Sequence, residues 1–394
     1  MGMGLFTKIS LGLKVGQKVV EKLGEKLEEV KDYISHDFFD YIEYYGDYTF
    51  EEKEFNEIDN VILSMLAYID YSDIVSEGHK EKKTIEEISK EYFAKYTKEY
   101  INNHISGMKT AISLLKAVGN KKRYKDILAF NYLYNGTMDS QFSAITFDLG
   151  NRVYYVAFEG TDTLISAWEE DFKMSYMFPV EAHKKAKKYL RKYTFKNVKL
   201  IVGGHSKGGN LALVGSMYTN FLVRWKIKKV YNNDGQGLRN KQLNSWRFRK
   251  LEKKYIHIIP DSSVVGLFLR NNGNYIVVKA NMPGLVSHDA KTWQIDFNTF
   301  KRTKLSRFSR VFDEGFSKWL DSYNDEERKL FTESLFAVLR DNNIVTLLDF
   351  KDNYRLIIDV LKRSKEIDPK VKDMTRDLVK VINKTNLEYP LFKW

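Results

Sequence analysis

The chain of 394 residues contains no cysteine, which excludes disulfide bonds, thiol catalysis and cysteine-ligated metal centres. Only 5 prolines are present, and no low-complexity tract or internal repeat interrupts the sequence. No apolar run approaches the roughly 18–20 residues that span a bilayer, so no transmembrane helix is expected. The remaining composition, 43% hydrophobic and 14% aromatic, is that of a globular protein with one large domain plus additions, or two domains.

Acidic residues are also fewer than basic ones. The chain has 52 aspartates and glutamates and 64 lysines and arginines, which gives a formal net charge of +12. Such an excess could suit an anionic membrane surface or nucleic acid. No nucleic-acid-binding motif is present and the lysines are spread along the chain, so we expect a solvated surface and no nucleic-acid partner. Peripheral contact with an anionic membrane is the alternative. The first residues lack the apolar core of a signal peptide, which predicts a cytoplasmic location, with export by a signal-independent route left open.

Helical and β patterns divide the sequence into three regions. Residues 1–54 carry an amphipathic stripe at helical spacing, residues 55–300 form the predicted core, and residues 301–394 return to helical periodicity. Within the core region the residues up to 130 are expected to be helical. Strands then alternate with helices, which is typical of a largely parallel sheet covered on both faces. The strands are predicted at residues 142–148, 152–158, 198–202, 228–232, 255–259 and 275–279, the first two as a hairpin.

The most informative segment is Val-Gly-Gly-His-Ser-Lys-Gly-Gly-Asn at residues 202–210. An apolar run enters the pattern Gly204-x-Ser206-x-Gly208, and a helical pattern rich in alanine and leucine follows at once. This strand–turn–helix context is that of a nucleophile elbow, which presents a serine at the edge of a sheet. The flanking glycines fit because so sharp a turn leaves no room for side chains beside the serine. Ser206 is therefore the predicted nucleophile of an α/β-hydrolase.

A serine nucleophile needs a base and a carboxylate that orients it, and this fold supplies them in the order Ser, Asp or Glu, His. His288 lies in the loop after the last predicted strand, and we expect it to be the base. Two aspartates compete for the role of the acid. Asp261 follows the strand before that loop, whereas Asp234 follows the strand one position earlier. Because Asp234 precedes a glycine, as in an ordinary turn, Asp261 is the preferred acid and Asp234 the alternative.

The oxyanion hole is predicted to combine the backbone N–H of Lys207 with a donor from the loop after residues 152–158. Thr161 lies in that loop and could offer both its N–H and its hydroxyl, although a simple turn with a helix N-cap is the alternative. Lys207 is unusual because a cation at a helix N-terminus opposes the helix dipole. We expect it to pair with Asp162 or Asp171, the alternative partner being a substrate phosphate.

Five segments of the sequence also carry a family resemblance. They are Gln141-Phe-Ser-Ala-Ile-Thr-Phe, Phe158-Glu-Gly-Thr-Asp, Trp168-Glu-Glu-Asp171-Phe, Gly204-His-Ser-Lys-Gly-Gly-Asn210 and Asp234-Gly-Gln-Gly237. Together they closely resemble the Mbeg-like family, bacterial lipase-like α/β-hydrolases that are distantly similar to class 3 (fungal-type) lipases. The resemblance implies a nucleophile at Ser206, a triad completed by Asp261 and His288, and an oxyanion position at Thr161.

These features predict hydrolysis of a carboxylic ester through an acyl-serine intermediate, without metal or cofactor. Lipid esters are the expected substrates, as for a lipase or phospholipase, and the apolar run at residues 174–180 could hold an acyl chain or belong to the core. Two other classes remain open: a non-catalytic interaction protein on a hydrolase fold, and a secreted or toxin-like phospholipase effector whose helical ends bind a protein partner. The basic face of the helix at residues 180–193 could be solvated or contact anionic headgroups.

Overall fold

The computed structural model describes residues 37–97, 99, 101, 106–135, 141–161, 165–345 and 347–386. Most of the amphipathic stripe predicted in residues 1–54 lies outside these ranges. Within them, no helix is both long and apolar enough to cross a membrane.

An eight-stranded sheet forms the centre of the structure, and its strand order follows the sequence. The first four strands pair antiparallel and the last five pair parallel, so the fourth strand belongs to both sets. The strands are β1 (Lys83–Thr84), β2 (Leu128–Tyr134), β3 (Ser143–Asp148), β4 (Val153–Phe158), β5 (Lys199–His205), β6 (Ile227–Asn233), β7 (Tyr255–Pro260) and β8 (Tyr275–Val278). A separate two-stranded hairpin follows, made of β9 (Ile295–Asp296) and β10 (Thr299–Phe300).

Helices precede, connect and follow these strands. Those before β3 are α1 (Phe38–Tyr45), α2 (Glu57–Leu66), α3 (Ile85–Lys95) and α4 (Ser106–Val118). The connecting helices are α5 (Ile165–Lys173), α6 (Glu181–Arg191), α7 (Lys207–Tyr218), α8 (Phe221–Lys226), α9 (Asn240–Leu243) and α10 (Trp246–Leu251). The C-terminal helices are α11 (Arg307–Ser322), α12 (Asp325–Asp341), α13 (Leu347–Arg363) and α14 (Pro369–Asn386). This mostly parallel sheet between helices confirms the predicted α/β-hydrolase-like fold.

Side chains of the central strands alternate between two hydrophobic layers. Along β5, Leu200 and Val202 face one layer and Ile201 faces the other. The layer around Ile201 is completed by α1 to α4, whereas the layer around Leu200 is completed by α6, α7 and the C-terminal helices. Successive residues of a strand point to opposite faces, so the continuous apolar run of β5 indicates a strand buried on both sides.

The expectation that residues 55–130 are helical is wrong at two places, because β1 and the first residues of β2 lie in this range. In β2 the strand pattern is interrupted at Asn131, which has a backbone φ of 54°. The register between β2 and β3 shifts between Phe130 and Leu133, as in a β-bulge. A bulge places consecutive residues out of the simple alternation that identifies a strand in a sequence, which explains why this strand was missed.

The helices before β3 are joined by a buried ion pair. Arg123 donates to both carboxylate oxygens of Asp59, at 2.8 and 2.6 Å, and both side chains are fully buried. The guanidinium also donates to the carbonyl oxygens of Lys53 and Glu54, at 2.9 and 3.1 Å. Asp59 in turn accepts from the Tyr124 hydroxyl at 2.7 Å. The hydrogen bonds of these polar groups are made within the cluster. They connect the segment before α2 to the loop after α4.

We expect Arg123→Met to lower the free energy of unfolding by about 3–5 kcal/mol, because it leaves the Asp59 carboxylate buried without its cation. Lys122→Met is the matched control. Its ammonium pairs with Glu52 at the surface, with half of each side chain exposed, so its loss is expected to change stability by less than about 1 kcal/mol. Urea unfolding followed by circular dichroism measures both values. Equal stability of the two variants would contradict the role assigned to the buried pair.

Candidate active site

Ser206 stands in a sharp turn between β5 and α7. Its backbone has φ 57° and ψ −135°, a strained combination for a residue with a side chain. The turn is close-packed: a Cβ on Gly204 would lie 2.4 Å from the carbonyl carbon of Gly208, and one on Gly208 would lie 2.1 Å from the carbonyl oxygen of Phe158. The hydroxyl oxygen of Ser206 is buried and has no hydrogen-bond partner among the described residues. The structure thus has the elbow geometry that the sequence predicted.

The carboxylate that contacts His288 belongs to Asp234. Its Oδ2 lies 2.7 Å from Nδ1 of His288, and its Oδ1 accepts from the Ser263 hydroxyl at 2.5 Å and from the Gly266 N–H at 3.1 Å. Asp234 is fully buried, and burial raises the pKa of its carboxyl, whereas the bonds from His288 and Ser263 lower it. With Nδ1–H donating to the carboxylate, the Nε2 of a neutral His288 is left as the basic nitrogen.

Asp261, the preferred acid, does not contact this imidazole, and that preference is wrong for the structure. Its Oδ2 accepts from the Lys279 ammonium at 2.8 Å, in a pair at the end of β7 and β8. Asp234 does adopt the turn conformation expected of an aspartate before glycine, with φ 49°. That turn points the side chain toward the His288 loop, so one residue both forms the turn and contacts His288.

His205, the residue before the serine, contacts the His288 loop. Its Nε2 lies 2.8 Å from the carbonyl oxygen of His288, which can only accept, so Nε2 carries the proton. Its Nδ1 lies 2.9 Å from the Tyr68 hydroxyl. Burial lowers the pKa of His205 well below its usual range, so the ring is neutral and Nδ1 accepts from Tyr68. The two imidazoles lie 4.5 Å apart between ring centres.

Lys207 is buried directly after the serine, and its cation is balanced by a carboxylate that the sequence interpretation did not select. Its Nζ lies 3.3 Å from Oε2 of Glu170 and donates to the carbonyl oxygen of Gln141 at 3.1 Å. Of the two expected partners, Asp162 lies outside the described residues and Asp171 is the neighbour of the actual partner. A buried cation needs such a pair because an isolated one would be strongly destabilised.

Thr161 lies beside the elbow, and its hydroxyl is engaged. It donates to Oδ2 of Asp171 at 2.7 Å, while Oδ1 of that carboxylate has no partner among the described residues. Burial raises the pKa of Asp171 to about 6, against the opposing effects of Lys207 and of the Thr161 hydroxyl. Because the hydroxyl hydrogen points to Asp171, the hydroxyl offers no second donor in this arrangement, and the backbone N–H of Thr161 is the group left for an oxyanion.

Sequence reasoning passed over two further residues, Asn210 on α7 and His183 on α6, and Asn210 connects α7 to the loop carrying Asp234. Asn210 donates to the carbonyl oxygens of Gln236 and Gly237, at 3.1 and 2.8 Å. Its own Oδ1 lies 2.7 Å from Nε2 of His183, whose other ring nitrogen accepts a backbone N–H. Burial lowers the pKa of His183 to about 4, so this ring is a neutral core histidine. In the sequence, the only signal for this contact was that the segments at residues 204–210 and 234–237 occur together.

A family model described as Mbeg1-like matches residues 118–337. The chain belongs to the Mbeg1-like family. A search of curated proteins finds no match for this Mbeg1-like protein.

Among solved structures, the chain is similar to M37 lipase, with 16% identity, a TM-score of 0.32 and coverage of 62% of this chain and 80% of that one. It is also similar to the Rhizomucor miehei lipase propeptide complex, with 15% identity, a TM-score of 0.28 and coverage of 40% of this chain. The match spans 58% of the Rhizomucor chain. Likenesses this distant add nothing to the argument about chemistry, which depends on the residues above.

We expect Gly208→Ala to lower the free energy of unfolding by about 2–3 kcal/mol, because its Cβ meets the backbone oxygen of β4, which cannot move aside. Gly215→Ala in the same helix is the matched control. Its Cβ would lie 3.2–3.3 Å from the side chains of Ala186 and Leu190, a contact that a shift of a few tenths of an ångström between α6 and α7 relieves. Thermal unfolding measures both variants. A Gly208→Ala protein as stable as Gly215→Ala would contradict the close packing of the elbow.

Proposed function

We propose that this protein is a serine hydrolase that cleaves carboxylic esters through an acyl-Ser206 intermediate. The observation that carries the proposal is the contact of His288 with the buried carboxylate of Asp234, beside a strained serine whose hydroxyl has no partner among the described residues. The Ser206 backbone N–H donates to the carbonyl oxygen of Asn233 at 2.9 Å, so the serine adjoins the residue before the acid. A histidine with one nitrogen on a carboxylate and the other free is arranged as a general base.

In the proposed reaction, Nε2 of His288 takes the hydroxyl proton of Ser206 as the oxygen attacks the ester carbonyl carbon. Asp234 holds the imidazole in the required tautomer and stabilises the imidazolium. The imidazolium then gives its proton to the departing alcohol, and water attacks the acyl-enzyme by the same steps, which releases the acid and restores the serine. The serine–histidine hydrogen bond forms when substrate binds, as is common where the free enzyme holds these groups apart.

The negative oxygen of the tetrahedral intermediate would be stabilised by backbone donors. Lys207 is the first residue of α7, so its N–H has no acceptor within the helix. The N–H of Thr161 would supply the second donor from the loop after β4. In this arrangement Asp171 is a positioning residue, since its bond to the Thr161 hydroxyl fixes the loop. The Lys207 ammonium, held by Glu170, neutralises the carboxylates behind that loop.

Lipid esters remain the proposed substrate class, and this part of the proposal rests on the family resemblance. The apolar run at residues 174–180 gives it little support, because Met174, Tyr176 and Val180 are buried in the core and Met177 is exposed. A panel of p-nitrophenyl esters of increasing acyl length, with and without vesicles, separates the possibilities. Rates that rise with chain length and with vesicles support a lipase, whereas activity on short soluble esters alone would limit the proposal to an esterase.

We expect a fluorophosphonate probe to label the wild-type protein and Ser206→Ala to abolish both labelling and ester hydrolysis, a loss of about 10⁴-fold or more. Ser216→Ala is the matched control, because this serine is also buried in α7 and its hydroxyl has no partner among the described residues. Labelling is read by gel fluorescence and mass spectrometry. A wild-type protein that neither reacts nor hydrolyses any ester would favour the non-catalytic alternative.

Activity measurements distinguish the roles of Asp234 and Asp261. We expect Asp234→Asn to lower kcat by about 10³-fold or more, because an amide in that position cannot stabilise the imidazolium. Asp261→Asn breaks only the pair with Lys279 and is expected to change kcat by less than about threefold. Both substitutions preserve side-chain shape, and melting temperatures verify that the proteins are folded. The reverse order of effects would return the acid role to Asp261.

A further inference from the structure

Positive charge is strongly segregated in one part of the chain. Residues 182–251 carry eighteen lysines and arginines but a single acidic residue, Asp234, and that carboxylate is buried in the candidate active site. Much of this charge therefore has no neighbouring negative charge. A surface of this kind attracts an anionic partner over a distance comparable to the Debye length.

Large apolar side chains project from the same part of the chain. Five of them are exposed: Phe195 at 94%, Trp225 at 77%, Phe221 at 70%, Trp246 at 45% and Leu222 at 39%. They come from the loop before β5, from α8 and from α10. Single exposed apolar residues need no explanation, but a group with two tryptophans and two phenylalanines indicates an interaction surface.

Hydrogen bonds show that these elements adjoin one another. The Lys226 ammonium donates to the carbonyl oxygens of Thr194 and Lys196, at 2.6 and 2.7 Å, and Asn220 donates to the Thr194 hydroxyl at 2.8 Å. These bonds join the loop that bears Phe195 to α8. The guanidinium of Arg224 in α8 lies 5.5 Å from the ring centre of Trp246 in α10. The five apolar residues therefore form one surface.

Cations lie among the rings of this surface. Arg247 and Lys250 lie 4.6 and 5.0 Å from the ring centre of Trp246, and Lys228 lies 5.9 Å from that of Trp225. None of these three cations forms an ion pair within the part of the chain that the structure describes. We name the five apolar residues, with Lys196, Arg224, Lys228, Arg247 and Lys250, the aromatic–basic surface.

We propose that the aromatic–basic surface docks this protein on the interface of an anionic phospholipid bilayer. Tryptophan and phenylalanine rings insert at the level of the headgroups, while lysine and arginine side chains contact lipid phosphates. Two observations favour a bilayer over other anionic partners. The rings of Trp246 are contacted by three cations, which leaves less face for nucleobase stacking. Lysines also stand between the apolar groups, whereas lysine is depleted in protein–protein interfaces.

The position of this surface has a geometric consequence. It lies where β5 and β6 begin, whereas Ser206 and Asp234 follow the other ends of these parallel strands. Strands of this length separate the two edges by about 20 Å. The docked protein would direct the candidate active site away from the bilayer that holds it, so the lipid esters of the proposed function would reach Ser206 from the aqueous side.

Sedimentation with vesicles tests the proposal on the full chain. Vesicles of phosphatidylcholine with about 30% phosphatidylserine are expected to bind the protein at least about tenfold more tightly than pure phosphatidylcholine vesicles, and about 0.5 M salt is expected to weaken that binding. Bilayers with brominated acyl chains are expected to quench tryptophan fluorescence, less so in Trp225→Phe. Equal binding to both vesicles, or none to the anionic ones, would overturn the proposal. So would tight binding of a labelled single-stranded oligonucleotide without vesicle binding.

Variants locate the surface. Phe221→Ala/Trp225→Ala and Lys228→Glu/Arg247→Glu are each expected to weaken binding to anionic vesicles by about tenfold or more. The matched controls are Phe297→Ala, which removes a 79% exposed ring from the β9–β10 turn, and Lys318→Glu on α11, and neither should alter binding. Loss of binding in the controls alone would place docking elsewhere and refute the surface. Ser206→Ala should bind as the wild type does, so this test stands or fails independently of the proposed hydrolase activity.

Discussion

The close approach of three backbone segments around Ser206 is the constraint on which the rest of the site depends. The strand end of β4 meets α7 at Gly208, and the loop after β6 meets the elbow at Gly235, where a Cβ would lie 2.1 Å from the carbonyl oxygen of Ser206. Since no side chain fits at these contacts, glycine is required there. The convergence brings together residues that follow three neighbouring strands: Thr161 after β4, Ser206 after β5 and Asp234 after β6.

Buried polar groups then fix this arrangement, and most of them act through other residues. His205 holds the backbone of His288, and Asn210 holds the loop after Asp234. Lys207 and Glu170 form an ion pair with almost no exposure. A buried polar group without its hydrogen-bond partner costs free energy in a low-dielectric interior. Each partner in this network therefore restricts the others to one geometry. Within the described residues, the Ser206 hydroxyl and Oδ1 of Asp171 are among the buried side-chain oxygens that have no hydrogen-bond partner.

The fold was largely accessible from periodicity, and the exceptions have local causes. The strands from β3 to β8 lie within a few residues of their predicted positions because buried parallel strands give continuous apolar runs between turn signals. The bulge at Asn131 concealed β2. The sequence showed amphipathic helices before and after the core, but not that they cover opposite faces of one sheet. Which face of the sheet each helix covers depends on tertiary contacts. The alternation of apolar side chains along a strand does not identify that helix.

For the site, the sequence by itself determined what depends on local conformation. Gly204, Ser206 and Gly208 predict the elbow because a strained turn between a strand and a helix restricts residue type at each position. Only the tertiary structure decided which carboxylate contacts His288, since Asp234 and Asp261 both follow strands of the same edge. Their side chains differ in direction, toward the imidazole in one case and toward Lys279 in the other. Direction is set by loop packing between segments far apart in the chain, which residue order does not encode.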